Sequence, residues 1–454
     1  MADWHFVADG AQAGPVDEEA LARLVAEGRV RADTLVWRAG LPEWRPAADT
    51  LPDLFPKTAA ATASRSLAGG GGKVAITTGL SGNEMYCLHQ KGFAPGDLVV
   101  GNSVFSMGFV GGIGSALSTL VGGEVTQMTS IVHEGRHNAY ERMAAEARQR
   151  GGVGITGVTS ELVQHAGNIE FLSVGSCLHQ EGASAEDIRF STSADGQELF
   201  CQLDAGFEPL RFVFGNVAYS IGVSGGILGA LKRLARGEVR EYSEIFNTTR
   251  HLALQRITSE ARSAGANAVL GIETSIIPFG GMQEMVMIGT ASRHPALPAE
   301  FGGEPITSDL TNQEMWNVIH MGWMPIRLVL GVSVYSLGLA GGISSMLKGL
   351  VRGEIAELTS LVYEARENAI AHVRRDAEAA GADDVVGIKT YIYDLGGGLI
   401  EFMALGTAVK RMPGFATASD QLPPQAIMMD KDTFFNAAER GLGRDTNLNR
   451  GARG

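Results

Sequence analysis

The sequence predicts an α+β protein in which a small N-terminal domain precedes three repeated β-α-β-β units, each a helix packed on an antiparallel sheet. Three observations lead to this prediction. A compact aromatic segment opens the chain, landmark residues recur three times at nearly constant spacing, and each recurrence has the order strand, helix, strand, strand. At roughly 100 to 200 residues per domain, a chain of 454 residues has room for several such domains.

The first predicted domain covers residues 1–55. Trp4 and Phe6 alternate with polar neighbours as in a strand, and the Gly14-Pro15 pair indicates a turn. Three of the five tryptophans fall within this short segment. Residues 56–73 are mostly Ala, Ser and Thr followed by four glycines, a composition that buries too little apolar surface to fold, so they are predicted to be a flexible linker.

Beyond the linker, the chain repeats itself three times. A Gly-Glu pair occurs at 123–124, 237–238 and 353–354, so successive pairs are 114 and 116 residues apart. Aromatic, arginine and glycine positions recur at the same offsets. Repeats of this length are whole domains in tandem, not turns of a solenoid. The predicted units are residues 74–180, 187–295 and 305–411.

Each unit has the same predicted layout. An apolar strand comes first, and an uncharged glycine-rich segment follows it. A long helix then begins at the Gly-Glu pair, where a glutamate in the first turn suits the positive end of the helix dipole. Two strands joined by a turn that contains glycine close the unit. The predicted helices are residues 124–150, 238–264 and 354–380.

The remaining residues, 412–454, are predicted to be a mostly disordered tail with a short docking helix over 431–439.

Charge and cysteine content exclude several classes of protein. The formal net charge of −13 argues against a general nucleic-acid-binding protein, which needs a basic surface for phosphate contacts. The three cysteines, Cys87, Cys177 and Cys201, have no CxxC spacing and thus no structural zinc motif. Reduced cysteines and an N-terminus without a basic, apolar leader lead us to expect a cytoplasmic protein.

The first domain resembles the GYF-like domains found at the N-termini of many bacterial proteins. The resemblance rests on Trp4-His5-Phe6, Gly14-Pro15, Leu21, Leu24, Gly28, residues 34–37, residues 40–44 and Ala47. True GYF domains bind proline-rich peptides on an aromatic surface, although the Gly-Tyr-Phe tripeptide itself is absent here. The resemblance therefore implies a peptide-binding surface, with Trp4, Phe6, Trp37 and Trp44 as the candidate residues. The alternative is that these aromatics are the core of a domain of roughly 50 residues.

The long units resemble the YbjQ-type family, which carries a heavy-metal-binding label. The resemblance rests on the Gly-Asn of the first strand, the Gly-Glu before the helix, the arginine in the helix, the helix exit Ala-x-x-x-Gly-Ala-(Asn/Asp) and the Gly-Thr-Ala of the last strand. It implies a dodecin-like fold with one helix on a sheet, and assembly into rings, with a pentamer as the family's reported state. No residue of this chain visibly supports the metal label.

One motif does suggest metal chemistry. His133 and His137 belong to a literal HExxH sequence on a predicted helix, the pattern by which zincins bind zinc. The equivalent stretches of the other two units lack these ligands, and no third ligand follows. The two histidines are therefore weak metal candidates, and the helical periodicity places both on a solvated face. No cofactor is predicted.

The glycine-rich segments are the most unusual feature. Residues 98–123 contain no charged residue, and the equivalent segments are similar. Their length would allow a membrane span, but seven glycines in the first segment disfavour a continuous helix. We expect these segments to form buried subunit or domain interfaces, with contact to a membrane surface as the alternative. The interface candidates are Gly108, Gly111, Gly112, Gly222, Gly225, Gly226, Gly338, Gly341 and Gly342, together with the recurring Arg136, Arg250 and Arg366.

These observations favour a non-enzymatic scaffold. No nucleophile–base or cofactor pattern recurs among the units. The leading hypothesis is a homo-oligomer whose repeats assemble into rings and whose N-terminal domain recruits a proline-rich or other peptide partner. The first alternative is a heavy-metal-binding or sequestration protein, and the second is a peripheral membrane scaffold.

Overall fold

The computed structural model forms two compact units, Met1–Ala75 and Ile76–Gly454. The residues that it describes are 4–8, 11–26, 30, 34–39, 41, 44–51, 75–106, 123–165, 168–181, 188–220, 237–279, 282–336, 356–396 and 399–427.

The N-terminal unit is a small antiparallel sheet with one main helix. Its elements are β1 (Trp4–Ala8), β2 (Ala11–Val16), α1 (Glu18–Ala26), β3 (Leu35–Arg38), β4 (Arg45–Pro46) and α2 (Ala47–Thr50). The strand order is β2-β1-β3-β4. The helix begins where the Asp17 carboxylate accepts a hydrogen bond from the Ala20 amide, which satisfies one of the free amides of the first turn. Trp4, Phe6, Leu21 and Val36 form the core.

The second unit contains the three repeats. Repeat 1 consists of α3 (Gly82–Gln90), β5 (Phe93–Ser106), β6 (Gly123–Glu124), α4 (Thr126–Gln149), β7 (Gly154–His165) and β8 (Asn168–Gln180). Repeat 2 consists of β9 (Phe190–Ser191), α5 (Gly196–Asp204), β10 (Glu208–Ser220), β11 (Gly237–Glu238), α6 (Arg240–Ser263), β12 (Ala268–Phe279) and β13 (Met282–Arg293). Helix α7 (Glu300–Gly303) leads to repeat 3, which consists of β14 (Ile306–Thr307), α8 (Asn312–His320), β15 (Trp323–Ser336), α9 (Ala356–Ala379), β16 (Asp384–Gly396), β17 (Leu399–Arg411) and, beyond the last strand, α10 (Pro424–Ile427).

Each repeat is built on three long antiparallel strands. The central strand is the last one of the repeat, so the strand orders are β5-β8-β7, β10-β13-β12 and β15-β17-β16. The long helix of each repeat packs on this sheet. The predicted α+β fold of repeated helix-on-sheet units is thus confirmed.

Two local predictions were wrong. Each repeat contains a short helix, α3, α5 or α8, before its first long strand, whereas that strand was predicted to come first. The Gly-Glu pairs at 123–124 and 237–238 form short strands, not first helical turns. Their residues hydrogen-bond to another sheet, and this tertiary pairing outweighs the local preference of glutamate for a helix start.

A glycine at the middle of each first strand allows the helix to approach closely. A Cβ atom added at Gly101, Gly215 or Gly331 would lie 2.0 to 2.2 Å from a carbonyl oxygen of the long helix of the same repeat. No side chain fits at such a distance, which explains physically why glycine recurs at this landmark position.

The segment after the last strand differs in part from its prediction. Residues 412–427 were included in a disordered tail, but they pack on the short helices. The Gln197 side chain donates to the Gln425 carbonyl, and the Ala418 amide donates to the Asp204 carbonyl. These bonds join the segment to repeat 2, and its helix α10 also packs on α3 of repeat 1. The predicted linker at 56–73 and docking helix at 431–439 lie outside the described residues.

Within the part of the chain that the structure describes, no helix combines the length and the apolar character needed to cross a bilayer.

Candidate functional site: the joints between repeats

The repeats contact one another through their long helices. Helix α4 packs on its own sheet and also on β10 of repeat 2, and α6 packs in the same way on its own sheet and on β15 of repeat 3. Continuous apolar clusters run across both contacts. We call the contact between repeats 1 and 2 the first joint, and the contact between repeats 2 and 3 the second joint.

Short strands are exchanged at each joint. At the first joint, β6 of repeat 1 pairs with β10 of repeat 2, and β9 of repeat 2 pairs in parallel with β7 of repeat 1. At the second joint, β11 pairs with β15 and β14 pairs with β12. Each sheet edge is therefore extended by backbone from its neighbour, so consecutive repeats share backbone hydrogen bonds as well as side-chain contacts.

A buried ion pair lies at the centre of the first joint. Arg136 on α4 donates from Nε to Oε1 of Glu284 at 3.0 Å and from Nη2 to Oε2 at 2.6 Å. Both side chains are completely buried. The remaining guanidinium nitrogen donates to the Ser160 carbonyl oxygen at 2.9 Å. The planar guanidinium suits this two-pronged geometry, which a lysine could not reproduce.

The second joint contains the equivalent pair. Arg250 on α6 donates from Nη2 to both carboxylate oxygens of Glu401 at 2.8 Å, and to the Tyr219 hydroxyl at 2.8 Å. Burial lowers the pKa of Arg250, but its partners raise it more, and the net shift is upward. Burial raises the pKa of Glu401, and the guanidinium of Arg250 counteracts that shift. Both charged groups are removed from water, so each one depends on the other for its stabilisation.

A hydroxyl group bridges each joint. The Thr129 hydroxyl accepts a hydrogen bond from the Ala218 amide at 2.9 Å, and Ser243 accepts one from the Val334 amide at 2.9 Å. Both hydroxyls come from the first turns of a long helix, and both donors belong to the first strand of the next repeat. The bond fixes the helix at one register along the neighbouring strand.

The two histidines of the HExxH sequence have different neighbours. His133 is exposed beside the first joint, where its ring lies 4.9 Å from that of Phe214 and its Nδ1 is 3.3 Å from the side-chain oxygen of Asn216. The exposure of His133 agrees with the predicted solvated face, although repeat 2 contacts its ring. Desolvation lowers the pKa of His133, which favours the neutral ring. The side chain of His137 is 43% exposed and lies near Glu141.

The three cysteines are buried and form no disulfide with one another. Burial raises the pKa of both Cys87 and Cys177 to about 11, so the unreactive thiol form dominates. Cys87 and Cys201, on two adjacent short helices, belong to the same apolar cluster. Among the described residues, no three His, Cys, Asp or Glu side chains are grouped as metal ligands.

The candidate aromatics of the N-terminal unit divide into two groups. Trp4 and Phe6 are buried in the core and cannot face a ligand. Trp37 and Trp44 are half-exposed, with ring centres 6.4 Å apart, and His5 lies 5.9 Å from Trp37. The Trp37 indole donates to the Leu41 carbonyl at 3.0 Å, which orients the ring. This group is the only part of the predicted peptide surface that the described residues leave accessible.

The other interface candidates have different outcomes. The nine glycines lie outside the described residues. Arg136 and Arg250 lie in the joints, whereas the side chain of Arg366 is 44% exposed and contacts the neighbouring Glu367. The partners Glu284 and Glu401 were not predicted from the sequence. A signal was present, because an acidic residue recurs at the equivalent position of the last strand of each repeat, at Glu170, Glu284 and Glu401.

Comparison with known proteins identifies both parts of the chain. A profile described as "GYF domain 2" matches residues 4–54. A YbjQ profile described as "Putative heavy-metal-binding" matches residues 94–176, 207–294 and 324–412, together more than half of the chain.

Similar individual proteins fall into two groups. The chain is 32% identical over 245 residues to the encapsulin nanocompartment protein Rv1762c of Mycobacterium tuberculosis. This alignment covers 51% of this chain and 89% of that protein. It is 37% identical over 81 residues to a UPF0145 protein of Methanocella arvoryzae, covering 18% of this chain and 68% of that protein. A UPF0145 protein of Pseudothermotoga lettingae is 41% identical over 85 residues, covering 18% of this chain and 80% of that protein. With three matching repeats, each a helix on an antiparallel sheet, the chain belongs to the YbjQ-type family.

Proposed function

We propose that the protein is a non-enzymatic scaffold whose repeats assemble with further copies and whose N-terminal domain recruits a protein or peptide partner. The names of the relatives above contain no catalytic activity. The UPF0145 relatives match over about one repeat, and a lone repeat would leave both of its joint surfaces open. The Mycobacterium relative is named for a nanocompartment, which is consistent with an assembling protein.

The observation that carries the proposal is the distribution of exposed apolar side chains. Over its described residues 188–220, 237–279 and 282–293, repeat 2 contributes no exposed large apolar side chain, and it has a neighbour on both sides. Repeats 1 and 3, each with one neighbour, contribute nearly all of those in the second unit. The exposed side chains are Ile76, Met85, Tyr86, Val100 and Val104 near one end, and Met321, Tyr363, Ile388 and Ile392 near the other. Apolar surface of this kind marks sites of protein association.

The assembly test is the mass of the native particle. Light scattering after size-exclusion chromatography of the full chain, without detergent and over a range of concentrations, should give masses above the 47.9 kDa of one chain. A constant mass of 47.9 kDa at high concentration would overturn the assembly part of the proposal. Flotation with liposomes distinguishes the membrane-scaffold alternative, since an assembly that buries its apolar surface should stay with the soluble fraction.

The proposed recruiting surface consists of His5, Trp37 and Trp44. Neighbouring half-exposed aromatic rings suit a proline-rich segment, whose rigid extended backbone docks on aromatic side chains. Titration of the full chain with a proline-rich peptide, followed by tryptophan fluorescence, should saturate, and Trp37→Ala should weaken binding at least about tenfold. Leu35→Ala provides a control because Leu35 is 41% exposed on the same strand and lies outside the aromatic group. Equal binding by all three proteins would count against this surface.

A further inference from the structure

We infer that repeat 3 of one copy forms a third joint with repeat 1 of a second copy, head to tail, with Arg366 bound to the other copy's Glu170. The inference rests on the proposed self-assembly and adds its residues, polarity and stoichiometry. We call the surface of repeat 1 that would enter this joint the head face, and the surface of repeat 3 the tail face. The head face comprises Ile76, Tyr86, Val100, Val104 and Glu170. The tail face comprises Met321, Tyr363, Arg366, Ile388 and Ile392.

The head face is the counterpart of surfaces that are buried in the two existing joints. Val104 is 58% exposed, whereas its counterparts Ala218 and Val334 are completely buried under the helix of the preceding repeat. The same contrast holds for Val100, 42% exposed, against Phe214 and Leu330, which are 2% and 1% exposed. Repeat 1 therefore has the apolar strand of a joint but no preceding repeat to cover it.

The edge of repeat 1 shows the same relationship. Ile76 is 54% exposed, whereas its counterparts Phe190 and Ile306 belong to the short strands that pair with the sheet of the preceding repeat. Tyr86 on α3 is 43% exposed, whereas its counterpart Trp316 is buried and donates from its indole nitrogen to Asp204 at the end of the preceding short helix. The head face thus extends over the sheet edge and the short helix.

The tail face is the counterpart of surfaces that the following repeat buries in the two existing joints. Ile388 on β16 is 46% exposed, whereas its counterparts Val158 and Ile272 are almost completely buried in clusters that include the following repeat. Met321 is 63% exposed at the end of α8. Its counterpart Ala205 follows α5, the helix whose Asp204 binds Trp316 of repeat 3, and is buried. Met321 thus stands where a following repeat would place the residue equivalent to Trp316, which in a second copy is Tyr86.

Charge complementarity fixes the pairing of these faces. In both existing joints, a helix arginine binds a glutamate in the last strand of the next repeat, as Arg136 does with Glu284 and Arg250 with Glu401. Arg366 and Glu170 are the remaining members of the two recurring sets. Within one chain they sit at opposite ends of the row of repeats, Arg366 beside Glu367 and Glu170 accepting a hydrogen bond from Asn102. Arg366 of one copy and Glu170 of another supply the same ion pair.

The hydroxyl bridge has an equivalent residue on the tail side as well. Thr359 on α9 occupies the position of Thr129 and Ser243, and it is exposed. Its partner in the third joint would be the backbone amide of Val104 in the other copy, the equivalent of Ala218 and Val334. One polar register contact, one charge pair and a row of apolar side chains therefore agree on the same docking geometry.

The inferred joint has a consequence for stoichiometry. Because the head and tail faces differ, the contact is heterologous, so it leads either to a closed ring or to an open filament. Each added copy contributes three repeats, so every particle contains a multiple of three repeats. A ring of five repeats cannot be built from whole chains in this way.

The test uses charge reversal in the full chain. Arg366→Glu and Glu170→Arg, each purified alone, place like charges in the third joint and should raise its dissociation constant at least about tenfold, which lowers the scattering mass toward one chain. Mixing the two variants restores one natural Arg366–Glu170 pair between unlike copies, so the mixture should regain at least a dimer. Arg375→Glu is the matched control, because its counterpart Ser259 on α6 is exposed. It should assemble like the unmodified chain.

The outcomes separate the two proposals. Circular dichroism should show that both variants are folded, since the substituted side chains lie at the surface of the single chain. If the unmodified chain assembles but Arg366→Glu assembles equally well, the third joint is wrong and self-assembly stands. If the variants are monomeric alone and remain so when mixed, the head-to-tail pairing is also wrong. If the unmodified chain is monomeric at every concentration, the proposed function itself fails.

Discussion

Arg250 and Glu401 lie 151 positions apart in the chain, yet their charged groups meet at 2.8 Å with no exposure to solvent. One belongs to the helix of repeat 2 and the other to the last strand of repeat 3. The pair therefore ties the stability of one repeat to the position of the next. The first prediction follows from this dependence.

Replacing Arg250 with Leu should lower the free energy of unfolding by about 3–5 kcal/mol, because Glu401 would remain as a buried charge without its partner. The double substitution Arg250→Leu with Glu401→Leu removes both charges and should recover much of that loss. Urea denaturation followed by circular dichroism measures both effects. Equal losses in the single and double variants would contradict the view that the stranded carboxylate is the main cost.

The close approach of helix and strand leads to a second prediction. Gly215→Ala would place a Cβ atom 2.2 Å from the Ala253 carbonyl oxygen, so α6 must move away from β10. We expect a loss of about 1–3 kcal/mol or more in unfolding free energy. Gly302→Ala is the matched control, since no heavy atom lies within 4 Å of its added Cβ. A thermal melting temperature that falls as far in the control as in Gly215→Ala would show that close packing is not the cause.

A third prediction concerns pH. Burial raises the pKa of Glu260 to about 7 from its usual 4.5, although the hydrogen bond that its carboxylate accepts from the Phe214 amide acts in the opposite direction. The folded protein thus holds this proton more tightly than the unfolded chain does, so stability should fall as the pH rises from about 4.5 to about 7. Glu260→Gln cannot ionise and should melt with a shallower pH dependence in that window. Melting temperatures that run parallel in the two proteins would refute this assignment.

The HExxH histidines provide a fourth prediction. His133 contacts repeat 2 through Phe214 and Asn216, so His133→Ala should reduce the unfolding free energy by about 0.5–1.5 kcal/mol. His137→Ala should have little effect, because His137 lies near Glu141 of its own helix. This asymmetry is not expected of two equal zinc ligands.

The metal alternative is tested on the same proteins. Elemental analysis after mild purification should find less than one equivalent of metal per chain, and the double variant His133→Ala with His137→Ala should contain the same amount. Stoichiometric metal that is lost in the double variant would favour the heavy-metal-binding alternative. Treatment of the unmodified chain with a chelator should leave its melting temperature unchanged, because a resident metal that binds only the folded state would raise it.

Much of the fold could be predicted from local patterns. Alternating and helical periodicity indicated the strands and long helices, and the recurring landmarks indicated three repeats, because these signals depend on residues close together in the chain. The short helices such as α3 were missed, since Ser81 and Glu84 cap that helix but its apolar residues are few. The strand at Gly123–Glu124 was missed because its partner, β10, is almost a hundred residues away.

The interfaces could be predicted only in outline. Three recurring arginines indicated interfaces between units, but no local pattern states which acidic residue each arginine meets. His133 illustrates the same gap, because helical periodicity correctly placed it toward water but could not indicate that its ring contacts Phe214 of repeat 2.

Residue spacing and composition determine the triplication, the helix-on-sheet unit and the acidic, multidomain character of the chain. These signals are local, so they do not depend on which repeats pack together. The partner of each buried charge, and which repeats keep open apolar faces, emerged only when whole repeats packed together. Burial and charge pairing depend on surfaces that come from parts of the chain more than a hundred residues apart. An unpaired buried charge costs free energy, so the stable arrangement is the one in which each arginine of a joint meets its glutamate.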